Sequence, residues 1–149
     1  MILYRITLAV HADKLAASGN PARWNTKYVR VIYTSSSKSL ACLENIVHRN
    51  SLGLNAQFKV IIIEVPAHLK IEKINEKSLQ PGWQEFQNIP QTRKMGDDWI
   101  AKGVAAILQV PSVIIPGEFN YLLNPRHEDF SKIKYIGNEP FEFVGRLKG

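Results

Sequence analysis

From Leu40 onward, apolar residues recur at the spacing of one helical face, Leu40, Leu43 and Val47, and a carboxylate, Glu44, falls inside that stripe. At ~100° per residue, Glu44 lies only about 40° from Leu40. A fold that accepts this helix must therefore deal with an anion on a face meant for burial. On one reading Glu44 sits at the edge of the stripe, where it snorkels to water or pairs with a structural arginine. On the other, the helix lines a cleft and presents the anion to it, where low dielectric makes the charge act strongly on a bound cation.

The residues upstream bear on that choice. Ser35, Ser36 and Ser37 are N-cap candidates for the helix. Before them, residues 29–34 read as a strand that ends with Tyr33 on the same alternating face as Val29 and Val31. Arg23 lies just beyond the loop signal Gly19-Asn20-Pro21. An arginine, an aromatic ring and a buried-face glutamate together can hold a flat anionic ligand, the guanidinium on phosphate, the ring in stacking and the carboxylate near positive charge.

The run RWN (Arg23, Trp24, Asn25), then YTS (Tyr33, Thr34, Ser35), then helical Glu44, and far downstream PSVIIPGEFNYLLNP resembles the RES domain. This is the toxin half of a class of bacterial toxin-antitoxin pairs, named for an Arg, a Glu and a Ser. The resemblance extends from Tyr4-Arg5 to the closing PFEFVGRL, with several separate motifs in the right order. Two departures stand out. Members carry a glycine-rich lead into RWN, here Asn20-Pro21-Ala22, and a glycine midway between RWN and the YTS strand, here Tyr28.

The resemblance implies an α+β fold similar to ADP-ribosyltransferases, with split mixed β-sheets around a cleft and surrounding helices, as a single RES domain over residues 1–149. It implies cleavage of the bond between nicotinamide and ribose in NAD, with Arg23, Tyr33 and Glu44 as the catalytic set. Arg5, Arg23, Tyr33, Ser112 and Asn124 would bind NAD, Ser112 being the family's third namesake and contacting ligand or Glu44. Phosphate, water or a protein side chain are all permitted as acceptor. The implied partner is an antitoxin with a helix-turn-helix domain that blocks the cleft, and a higher-order toxin-antitoxin assembly is compatible with it. Any contact with DNA would then be indirect.

The remaining residues supply a frame. At 149 residues, 45% hydrophobic and 21% charged, the composition is that of an ordinary globular chain able to bury a sizeable core. The opening MILYRITLAV reads as a buried strand and not a leader, because no basic segment precedes it and Arg5 interrupts it. Arg5 itself is either an edge-strand side chain facing water or a cleft-wall partner for phosphate or Glu44. No run approaches the ~18 apolar residues of a membrane span. The single Cys42 excludes an internal disulfide, and a cytoplasmic location fits.

Residues 58–65 have the β-branched content of a central strand, ended upstream by Ser51-Leu52-Gly53 closing the Glu44 helix. Residues 66–90 read as peripheral, without chemistry. Asp97 is expected to cap a helix carrying Trp99, Ile100, Val104, Ile107 and Leu108, followed by a strand over 112–115. Ser112 beside Pro111 also suits a turn serine bonding to nearby backbone, and Asn120, Asn124 and His127 read as a polar turn. His127-Glu128-Asp129 begins a helix and lacks the spacing of a metal site, so no metal is expected. Residues 141–147 alternate as a final strand.

The net charge of +6 and pI of about 9.5 open an alternative from another class, an RNA-binding or RNA-cleaving module with Trp24, Tyr28 and Tyr33 as stacking surfaces. The basic residues are scattered with no basic block, which favours a solvated surface over a phosphate track.

Overall fold

Alternating apolar residues place β1 (Ile2–Leu8) in the middle of a mixed sheet, flanked by β2 (Ile32–Ser35) and β3 (Phe58–Glu64). The computed structural model of the chain describes residues 1–48 and 57–142, and the side chains of 46–48 lie outside that description. Among the described residues the sheet has seven strands in the order β4-β5-β6-β2-β1-β3-β7. The others are β4 (Ile71–Lys73), β5 (Ile107–Pro111), β6 (Phe119–Leu123) and β7 (Lys134–Phe141). Only β4 and β5 run parallel. With the helices α1 (Lys38–His48) and α2 (Ile89–Lys102), this is an α+β fold.

The sheet has a seam. β1 pairs with β3 along its full length, from Ile2 opposite Glu64 to Leu8 opposite Phe58. Its pairing with β2 is a single antiparallel pair, Tyr4 opposite Ser35. The halves β4-β5-β6-β2 and β1-β3-β7 thus meet at one point and part beyond it, which is how the expected two-part sheet is realised.

Both faces of the sheet are covered. Alternation sends Leu123 and Ile107 into a core with Leu3, Ile32, Ile61 and Ile63, and sends Leu122, Leu108 and Val110 into a second core with Trp24, Trp83 and Trp99. A third cluster, Ile6, Ala41, Phe58 and Val60, packs between α1 and the sheet. At the start of α1 the Ser37 hydroxyl accepts from the Leu40 N–H at 3.0 Å, so of the three serines Ser37 is the N-cap. The helix end expected at 51–53 lies outside the described residues, as does the tail from 143; β7 begins at Lys134, earlier than expected.

The second helix differs from the expectation. It begins at Ile89 with Pro90 in its first turn and ends at Gly103, whose φ of +61° is the left-handed C-terminal cap. Asp97 is therefore inside the helix, and Ile107 and Leu108 belong to β5. The periodic pattern misled because the apolar residues of the strand continue the helix spacing across Gly103. The strand expected over 112–115 is a turn, in which the Ser112 N–H donates to Glu118 O at 2.9 Å and Gly117 takes φ +83°. Asn120, expected in a polar turn, stands on β6 opposite Ser35. His127 does start a short helical turn, its Nδ1 accepting from the Asp129 N–H.

Candidate active site

The seam opens into a cleft of about 460 Å³, a size ordinary for a small-molecule site. Its walls carry Tyr4 and Arg5 from β1, Arg23 and Trp24 from the turn before β2, Tyr33 and Ser35 from β2, Glu44 and Asn45 from α1, and Asn120 from β6. Four of the site residues read from sequence, Arg5, Arg23, Tyr33 and Glu44, therefore face one cavity.

Glu44 is half-buried, with its carboxylate held from the sheet side. Ser112 Oγ donates to Glu44 Oε1 at 3.0 Å and Asn120 Nδ2 donates to the same oxygen at 2.7 Å. Ser112 in turn accepts from the N–H groups of Ile114 and Ile115, both at 3.1 Å. Ser112 is thus a turn serine whose hydroxyl also contacts Glu44. The carboxylate is neither snorkelling nor on an exposed stripe; α1 lines the cleft.

Arg23 is fixed by backbone. Its Nη1 donates to Trp83 O at 3.1 Å and Glu85 O at 3.5 Å, and Nη2 to Gln84 O at 2.9 Å. The segment read as free of chemistry thus supplies the clamp that orients the arginine. Burial and the neighbouring Arg93 lower the Arg23 pKa, while Glu44 and Tyr33 oppose that shift, so the Glu44 charge acts on this guanidinium. Arg5 is on an interior strand and not an edge. Its Nη1 donates to Tyr33 O at 3.0 Å, and burial lowers its pKa.

Tyr33 has a different use from simple stacking. Its hydroxyl accepts from the Trp24 N–H at 3.1 Å and donates to Asn25 Oδ1 at 2.6 Å, tying the RWN turn to β2. Burial pushes the phenol well above its ordinary pKa, so it stays protonated and acts as a donor, not a base. Asn25, 1% exposed, completes the turn by donating through Nδ2 to the carbonyls of Asn20, Thr26 and Val29.

The turn is docked on one face of α2. Thr92 Oγ1 donates to Arg23 O at 2.6 Å, and Arg93 Nε donates to Ala22 O at 2.7 Å. Asp97 accepts from the Thr26 N–H and hydroxyl at 3.0 and 2.7 Å. Gly96, between them, lets the Trp24 carbonyl approach so closely that a Cβ there would lie 1.7 Å from its oxygen. Sequence reasoning missed this face; the spacing of Thr92, Arg93, Gly96 and Asp97 on one side of a helix was the available signal.

Asn124 does not join the cleft. Buried at 3% exposure, it accepts from the Arg126 N–H at 3.0 Å and lines a separate surface hollow with Arg126 and His127, because β6 carries it to the end away from the seam. It shapes the Asn-Pro turn and is not among the residues that line the cleft with the other expected ligand-binding side chains. Tyr28, where the resemblance leads one to expect glycine, is the one non-glycine residue with positive φ, +73°, among those described. The backbone conformation that glycine would favour is thus retained by a tyrosine.

Of the three aromatics that supported RNA stacking, Trp24 is 2% exposed and packed 6.1 Å from Trp83, and Tyr33 holds the turn. Only Tyr28 offers an open ring, so that alternative loses its support.

A cleft at the seam of a two-part sheet, walled by arginine, tyrosine and a helix-borne glutamate, is the arrangement the motifs implied. Residues 2–144 match the RES domain, and the chain belongs to the RES domain family. It is 38% identical over 128 residues, 83% of this chain and 80% of the relative, to the Prs ADP-ribosylating toxin of Sphingobium sp. (strain YBL2). It is 35% identical over 158 residues, 99% of this chain and all of the relative, to Toxin Res of Yersinia enterocolitica. Among solved structures, a chain of the M. tuberculosis MbcT-MbcA toxin-antitoxin complex superimposes with a TM-score of 0.78 over 95% of this chain and 84% of that chain, at 16% identity, a likeness of fold. No helix among the described residues is long and apolar enough to cross a membrane.

Proposed function

We propose that this chain is the toxin of a bacterial toxin-antitoxin pair, acts in the cytoplasm and cleaves the nicotinamide-ribose bond of NAD. The observation that carries the reading is the Glu44 carboxylate, gripped through Oε1 by Ser112 and Asn120 inside a cleft that Arg5, Arg23 and Tyr33 also line.

Breaking the bond sends its electron pair onto the nicotinamide nitrogen, which leaves neutral, while the ribose develops oxocarbenium character. A fixed carboxylate beside that carbon lowers the barrier because its position is set before the charge appears. At an effective dielectric of about 20 and a separation of about 4 Å, a pair of unit charges interacts by roughly 4 kcal/mol, worth roughly a thousandfold in rate. Arg23, three of whose five N–H donors are held by the backbone clamp, keeps two for the pyrophosphate, and Arg5 on β1 offers a second cation in the same cleft. Tyr33 keeps the arginine turn against the cleft that it also lines. Since nicotinamide leaves neutral, no strong general acid is needed.

The names of the relatives support the toxin assignment, and the structural neighbour, taken from a toxin-antitoxin complex, supports an antitoxin partner, which in this reading covers the cleft. Mass analysis of the products tests the acceptor. Phosphate yields a phosphorylated ADP-ribose, water yields ADP-ribose, and a protein acceptor gains the mass of ADP-ribose. A wild-type chain whose expression leaves cellular NAD and growth unchanged would overturn the reading.

A further inference from the structure

We infer that Asn120 is a positioning residue for Glu44, and that Ser35 anchors the Asn120 amide in the place where it works. The inference rests on the proposed role of Glu44 and adds a relay that the sequence motifs did not assign. Ser35 and Asn120 are directly opposite in the β2-β6 ladder. Ser35 Oγ donates to Asn120 Oδ1 at 2.7 Å, and Asn120 Nδ2 donates to Glu44 Oε1 at 2.7 Å.

A primary amide has a donor end and an acceptor end, and only one of its two flips gives the carboxylate a donor. In the other flip Asn120 Oδ1 would face Glu44 Oε1 at hydrogen-bonding distance, oxygen against oxygen. The Glu44 carboxylate, which only accepts, selects the productive flip, and the Ser35 hydroxyl, on a residue only 3% exposed, fixes the amide in place by donating to Oδ1. Ser35 also belongs to the single pair that joins the two halves of the sheet, Tyr4 opposite Ser35. The relay therefore starts at the seam, and the geometry of the seam is transmitted to the carboxylate through one hydroxyl and one amide.

The chemical consequence is specific. The titratable side chains that line the cleft among the described residues are Tyr4, Arg5, Arg23, Tyr33 and Glu44, so Glu44 is the sole carboxylate there. Asn120→Asp keeps the shape and replaces the donor with a second carboxyl group against Oε1. Two carboxylates sharing a site hold a proton between them, and one of the pair titrates at raised pH.

The test has an arm without substrate and an arm with it. In the free protein, the Glu44 side-chain carboxyl is followed by carbon-13 NMR across pH. Asn120→Asp should place two carboxyl groups in one site and move the titration of the pair upward, and Ser35→Ala should loosen the amide, seen as shifted or broadened Asn120 side-chain amide signals. With NAD, Asn120→Asp should shift the acid limb of kcat by the same amount. Ser35→Ala should lower kcat by roughly tenfold with little change in KM, and Ser35→Thr, which keeps the hydroxyl, should restore most of it.

An Asn120→Asp protein whose Glu44 titration is unmoved overturns the relay, as does a Ser35→Ala protein whose Asn120 amide signals are those of wild type. If wild type cleaves no NAD, the NAD reading fails while the NMR arm still decides the relay.

Discussion

Replacing Gly96 with alanine should dismantle the site from behind. Helix propensity alone says otherwise, because Ala in a helix interior is favoured over Gly by about 1 kcal/mol. Against that gain, the new Cβ would lie 1.7 Å from Trp24 O and 2.7 Å from Trp24 C, and both are backbone atoms of a residue that is 2% exposed. The turn must therefore move off α2. That movement strains or breaks four hydrogen bonds, from Thr92 to Arg23 O, from Arg93 to Ala22 O, and from the Thr26 N–H and hydroxyl to Asp97. At about 1 kcal/mol each the loss is about 4 kcal/mol, and with the propensity gain set against it the net destabilisation is about 3 kcal/mol. For a chain of this length that corresponds to a fall in Tm of roughly 6 to 12 °C. Urea unfolding followed by tryptophan fluorescence measures it, since Trp24, Trp83 and Trp99 share one cluster. NAD cleavage should fall further than the folded fraction does, because Arg23 leaves its place. A Gly96→Ala protein with the wild-type urea midpoint and wild-type activity would refute the docking of the turn on α2.

Tyr28→Gly should stabilise the chain. The left-handed conformation costs a non-glycine residue roughly 1–2 kcal/mol, glycine returns roughly 0.5–1 kcal/mol of that through unfolded-state entropy, and a side chain that is 77% exposed has little burial to lose. A net gain of about 0.5–1 kcal/mol in thermal or urea unfolding is expected, and a loss would contradict it. Tyr33→Phe strands the Trp24 N–H and Asn25 Oδ1, and should cost about 2–3 kcal/mol in urea unfolding. It also changes the pH profile. The folded phenol pKa is raised by burial above its unfolded value, so its contribution is fully present below about pH 10 and declines as pH rises beyond it. Urea midpoints measured from about pH 8 to pH 11 should fall less in Tyr33→Phe than in wild type, leaving the share of Tyr121, whose phenol burial also raises.

What the sequence made legible was local. Leu40, Ser37 and Glu44 announce a capped helix with a misplaced charge, and the structure turns that charge into a cleft. The strands at 2–8 and 58–64 were readable because their apolar residues need no distant partner to be recognised. Illegible were the pairings that join remote segments. Nothing local in Trp83, Gln84 and Glu85 says that their carbonyls hold Arg23, because every residue has a carbonyl and only the fold selects these three. Asn120 was hidden because its strand, FNYLL, alternates poorly and begins just after a glycine turn. The helix over 89–102 was misplaced because the strand after Gly103 continued its periodicity, a case where turn chemistry should have outweighed the pattern. Asn124, a motif residue, is used in its own turn and stands apart from the cleft.

The most direct test of the account is the rate of NAD loss catalysed by purified, partner-free chain in phosphate buffer with a bacterial protein extract added as acceptor, compared between wild type and Glu44→Gln. Wild type should deplete NAD with release of nicotinamide, and the variant should fold normally and lose roughly a hundredfold to a thousandfold in rate. A wild-type chain that leaves NAD intact, or a folded Glu44→Gln chain that cleaves it as fast as wild type, would contradict the role assigned to that carboxylate.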